Sequence, residues 1–161
     1  MNRGEGIEAG ARGSREGGAE ADVETWQSAR GSLVISQPVH GVMVFTYYGH
    51  MGASVVPFVE RAVARVLQTG VRPDLFIDLE QMTGYDSDYR KAISTWGARM
   101  YREFGEVRVF VQSKIVAMGI AVSNLTSAGK LKPTTERARF DQFLGEAIAR
   151  HSGSDAAAKP R

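Results

Sequence analysis

Four carboxylates fall within one short stretch, FIDLEQMTGYDSDYR: Asp78, Glu80, Asp86 and Asp88. An apolar run, Leu75-Phe76-Ile77 with Leu79, precedes them and a helical pattern follows, so they sit where a strand hands over to a helix. Open α/β sheets place ligands at that end of a strand, which makes the group a candidate polar or cation site. The competing use is local. With Asp86 or Ser87 as N-cap and Asp88 in the first turn, the free amides find acceptors and the helix dipole is complemented. The spacing favours capping. Tyr85, one residue earlier, either packs as a staple or stands exposed as a recognition residue.

Other chemistry lacks its parts. The three histidines, His40, His50 and His151, show no i, i+4 or alternating spacing with a carboxylate companion, and there is no cysteine. The chain contains none of G-x-S-x-G, G-x-x-x-x-G-K-[ST] or G-x-G-x-x-G, the signatures of hydrolase, P-loop and dinucleotide sites. No nucleophile has an evident base. The sequence therefore predicts no catalytic residue, no metal and no cofactor, and a binding or regulatory module in place of an enzyme.

The elements that must position these residues follow a simple grammar. Leu33-Val34-Ile35 reads as a strand ended by Pro38, which cannot donate to a ladder. Val42 to Tyr48 reads as a second, closed by Gly49, and the short link between them predicts an antiparallel hairpin. Val59, Val63, Val66 and Leu67 make a helix face between Ser54, the expected N-cap, and Gly70, the expected C-terminal cap, with Pro57 in the first turn. A strand over 74–79 leads through a turn at Thr83-Gly84-Tyr85 into a helix over 87–104, whose stripe is Tyr89, Ile93, Trp96, Met100 and Phe104. That spacing makes Tyr89 and Trp96 core residues before ligand-stacking ones. Further along come a strand at 106–111, a helix from Lys114 to Ala128, a minor strand at 131–134 and a helix from Thr135 carrying Phe140, Phe143, Leu144, Ala147 and Ile148.

Strands alternating with helices predict an α/β domain: a mostly parallel sheet of four to five strands, an N-terminal antiparallel hairpin strand and about four helices. Its expected bounds are 31–150. Residues 1–30, rich in Gly, Glu and Arg, and residues 151–161 read as disordered tails, because neither buries enough apolar surface to offset ordering.

Charge and hydropathy narrow the function classes. The net charge is +2, and Arg61, Arg65, Arg90, Lys91, Arg99, Arg102 and Arg108 are spread over several elements, which reads as solvated helix faces and predicts no nucleic-acid partner. No apolar run approaches the roughly 18 residues of a membrane span. Nothing resembles a signal peptide, and a cytoplasmic location is the default expectation.

At the carboxylate stretch the chain resembles the SpoIIAA-like (STAS/SEC14) group of domains. The resemblance covers residues 31–150 and rests on the strand-hairpin start, FIDLEQMTGYDSDYR, VRVFVQSKIVAMGIAVSNL and TTERARFDQFLGEAI. It implies a STAS-like fold and a non-enzymatic module that binds a protein partner through Tyr85, Asp86, Ser87, Asp88 and Tyr89. In anti-sigma factor antagonists an aspartate–serine–serine run opens this helix, and its second serine is phosphorylated. The matching run is Asp86-Ser87-Asp88, so an aspartate holds that position, and Ser87 is left as the candidate for phosphorylation. The SEC14 side implies an alternative: a carrier of a small apolar ligand, held between the sheet and the helix around Met118-Gly119.

Overall fold

The computed structural model describes residues 22–112 and 129–157. Chain order gives β1 (Asp22–Gln27), β2 (Gly31–Val39), β3 (Val42–Met51), a 3-10 turn (Ala53–Val55), α1 (Val56–Leu67), β4 (Asp74–Tyr85), α2 (Ser87–Met100), a second 3-10 turn (Tyr101–Glu103), β5 (Val107–Phe110), β6 (Leu131–Thr134) and α3 (Arg137–Ala157). The strands form one sheet in sequence order, β1-β2-β3-β4-β5-β6. β1–β2 and β2–β3 are antiparallel, and the remaining three pairings are parallel. This is the predicted mixed α/β architecture, with six strands where four to five were expected.

Alternation along the strands builds two main cores and, among the described residues, a smaller cluster of Val109 and Val111 with Ile77, Leu79 and Leu131. Leu33, Ile35, Phe45 and Tyr47 face Val59, Val63 and Val66 of α1 and Trp96 of α2. Phe76, Phe110 and Val42 face Phe140 and Ala147 of α3. Phe140 lies 5.7 Å, centroid to centroid, from both Phe76 and Phe110. The helical stripes read from the sequence are the buried faces of α1, α2 and α3.

Several boundaries move, each for a physical reason. β1 lies inside the segment expected to be disordered, because Trp26 packs against the first core and the strand pairs residue for residue with β2. The glycines that dominate the composition come before it. At the other end α3 runs to Ala157, and His151 docks on Asp74 with Nε2 3.1 Å from Oδ2, so the helix continues past the expected bound at 150. β2 passes through Pro38, and the register shift between Ser36 and Val39 accommodates the missing donor. Ser54 does not cap: α1 grows out of the 3-10 turn, and its N-cap position, Val55, makes no side-chain bond. The predicted turn at 83–85 is strand, since Gly84 and Tyr85 pair with His50 and Met51. The helix after Tyr85 ends at Met100 and tightens into the second 3-10 turn. Among the described residues there are three α-helices. The expected helix from Lys114 to Ala128, and with it the proposed apolar cavity at Met118-Gly119, lies outside them.

Candidate functional site

Asp86 joins β4 to α2. Its backbone N–H donates to Met51 O at 2.9 Å, closing the β3–β4 ladder, and its carbonyl accepts from Arg90 N–H at 3.1 Å, opening the helix. It thus occupies the N-cap position with extended backbone, φ −78° and ψ 153°, yet its carboxylate makes no capping bond. The carboxylate turns instead to two residues from far along the chain. His50 Nε2 lies 2.7 Å from Oδ1, and Arg30 Nη1 donates to Oδ2 at 3.2 Å and Oδ1 at 3.3 Å. An ionised carboxylate only accepts, so Nε2 of His50 carries the proton.

Each partner is delivered by a close backbone approach. Ser28 N–H donates to Gly31 O at 2.9 Å, and the Ser28 hydroxyl oxygen accepts from the amides of Arg30 and Gly31, which shapes a tight β1–β2 turn. The turn leans on β3 through His50 N–H to Arg30 O, 3.0 Å. A Cβ at Gly31 would stand 2.5 Å from Tyr48 O and 2.7 Å from His50 O; one at Gly49, which has φ +72°, would stand 2.5 Å from Arg30 O. Only glycine fits either place. Arg30 and His50 therefore reach Asp86 because two glycines let the turn lie against the strand.

The hydrogen bond from His50, with the Arg30 guanidinium beside it, holds the Asp86 carboxyl below the usual carboxylate range, against the contrary effect of desolvation. The cluster is open to solvent: the side chains of Arg30, Asp86 and His50 are 59, 44 and 27% exposed.

The other predicted residues divide by depth. Ser87 and Asp88 are exposed in the first turn of α2, and Tyr85 is half-buried against the first core. Tyr89 is buried. Its ring lies 6.1 Å from that of Tyr85, and its hydroxyl is hydrogen-bonded with that of Tyr47. Burial raises the Tyr47 phenol to about 12 and pushes Tyr89 up as well. Tyr89 thus supports the surface from beneath, as its helical spacing indicated.

Asp78 and Glu80 do not join Asp86. Arg137 of α3 donates to Asp78 at 2.8 Å and to Glu80, while its guanidinium stacks 4.0 Å from the Phe110 ring centroid. The hydrogen bond to Asp78, then that to Glu80, raises the Arg137 pKa further, so it stays charged. These two carboxylates anchor the start of α3. The four-carboxylate group is therefore two separate structures. Arg30 and His50 were missed as site residues because nothing local marks them; the flanking Gly31 and Gly49 are the available signal.

No protein-family model and no curated protein matches the chain. Solved structures do. An uncharacterised DUF3478-family protein with a SpoIIAA-like fold from Shewanella loihica PV-4 superposes with a TM-score of 0.53 at 14% identity, over 82% of this chain and 99% of that one. The anti-sigma factor antagonist SpoIIAA in its unphosphorylated form superposes with a TM-score of 0.50 at 15% identity, over 70% of this chain and 98% of that one. The chain has the SpoIIAA-like fold.

Proposed function

We propose that the chain is a non-enzymatic regulatory module that binds a protein partner through Tyr85, Asp86, Ser87 and Asp88, with Tyr89 as the buried prop. The observation that carries this reading is the Asp86 carboxylate, which leaves its capping role and is held at the surface by Arg30 and His50. Three chain segments thereby fix one exposed polar platform at the start of α2. The fold shared with an anti-sigma factor antagonist supports a protein partner over a small molecule. Ser87 lies exposed on the same platform, and phosphorylation there would set a dianion at a helix N-terminus between two carboxylates, changing what the platform presents.

A photo-crosslinking amino acid placed at Ser87, and separately at the exposed Glu146 of α3 as control, tests the reading in native host lysate. A discrete protein adduct is expected at position 87 only, weakened by Asp86→Ala. Equal labelling at both positions, or no adduct at 87, sinks it.

A further inference from the structure

The two edges of the sheet are built differently. β6 has the sequence LKPT and so carries a lysine and a proline, two devices that block pairing at an open edge. β1 has neither. Its six residues, DVETWQ, pair with β2 one for one without a bulge, and no described strand lies beyond it. Such an edge presents unpaired N–H and C=O groups to any strand that approaches.

Side chains add to the contrast. Glu24 and Trp26 point to the α1–α2 side, where Trp26 packs on the core and Glu24 pairs with Arg65. Val23, Thr25 and Gln27 alternate to the other face, all exposed and all uncharged. Val23, at 57% exposure, is one of two exposed large hydrophobic side chains among the described residues.

We propose that β1 is a dimerisation edge: β1 strands of two copies pair antiparallel about a twofold axis perpendicular to the sheet and join the two six-stranded sheets into one. Such an axis keeps each sheet face continuous, so every residue opposes one from its own face. Two registers then pair most of the strand. Centred on Glu24, the first sets that carboxylate against its own copy. Centred on Thr25, the second sets Thr25 against Thr25, Glu24 against Trp26 and Val23 against Gln27, and no carboxylate faces another. Like charges directly opposite destabilise a ladder, whereas Thr–Thr pairs favour it, so charge selects the Thr25 register. A twofold contact needs a patch complementary to itself, and a strand centred on an uncharged threonine supplies one. This is why the occupant is a second copy.

Sedimentation equilibrium of the full chain reads the outcome. The wild type is expected at twice the 17.5 kDa monomer mass. T25K and T25E each place like charges on the axis and are expected to weaken the dimer at least about tenfold. An equimolar mixture of the two is expected to recover it, because ammonium then faces carboxylate. Hydrogen exchange on the wild type needs no variant: amides of 22–27 should gain protection as concentration rises, while those of 131–134 stay unchanged. A monomeric wild type, single variants that remain dimeric, a mixture that fails to recover, or concentration-independent exchange in β1 would each overturn the proposal.

Discussion

Gly31→Ala tests the link between backbone packing and the Asp86 site. The added methyl would sit 2.5 Å from Tyr48 O and 2.7 Å from His50 O, both backbone atoms that cannot swing aside, whereas ordinary contact begins near 3.4 Å. The turn must therefore retreat from β3 by most of an ångström. Forcing such a methyl into a packed site costs about 1–3 kcal/mol. Loss of glycine's freedom in the unfolded chain offsets about 0.4–1 kcal/mol of that. The net expectation is a destabilisation of up to about 2.5 kcal/mol, centred near about 1 kcal/mol. Urea unfolding followed by circular dichroism measures it, with the midpoint falling and the slope unchanged. The same movement draws Arg30 and the His50 backbone away from Asp86, so the carboxyl titration followed by NMR should shift upward toward the ordinary value. Wild-type stability together with an unmoved Asp86 titration would refute the reasoning, since the glycine would then be incidental.

Three further outcomes follow from the same structure. In the wild type the Asp86 carboxyl should titrate below the ordinary 3.8, and His50→Ala should raise its midpoint more than Arg30→Ala, because the His50 bond is the larger cause; NMR titration decides, and equal midpoints in all three proteins would contradict it. The stabilisation tied to Asp86 ionisation is present above pH 3.8 and fades as pH falls through the lower folded-state value. At alkaline pH the buried phenol of Tyr47 supplies stability that is intact below pH 10.0 and lost as pH rises toward about 12, so ultraviolet titration should show late, cooperative ionisation coincident with unfolding. Phe140→Ala removes a buried ring flanked by Phe76 and Phe110 and should cost about 3–5 kcal/mol in urea unfolding; a loss below about 1 kcal/mol would mean that α3 does not close the second core.

Periodicity made most of the fold legible. Val59, Val63 and Val66 mark α1, and Tyr89, Trp96 and Phe104 mark the face that follows β4; all are buried. What escaped were places where the period breaks. The residues of β4 that meet the first core are Leu75, Ile77, Leu79, Met82 and Tyr85, spaced twice by two and then twice by three. Each extra residue is a register shift against β3, between Thr46 and Tyr48 and again between Gly49 and His50. A reader of alternation therefore stops the strand at Leu79 and makes a turn of Thr83-Gly84-Tyr85. β1 was hidden for another reason, since averaging over residues 1–30 lets the glycines outweigh Val23, Thr25 and Trp26. For the site, the candidate stretch was visible and its partners were not: His50 is 36 positions away and Arg30 is 56. Neither separation leaves a local trace, because a register with two bulges decides which residue of β3 ends beside Asp86.

The contrast between Asp78 and Asp86 bears on why the second is read as functional. Asp78, with a side chain 14% exposed, is closed off by a guanidinium that also stacks on Phe110, and breaking that arrangement would strand a charge at the core's edge. Folding alone accounts for it. Asp86 and Arg30 are open to water, where ion pairs contribute little to stability. Yet the chain commits two tight glycine positions to bringing Arg30 and His50 to that carboxylate, and gives up a helix cap to do so. Such an arrangement gains little for the fold, and that supports the proposal that the solvent-facing charge pattern around Asp86 serves a partner.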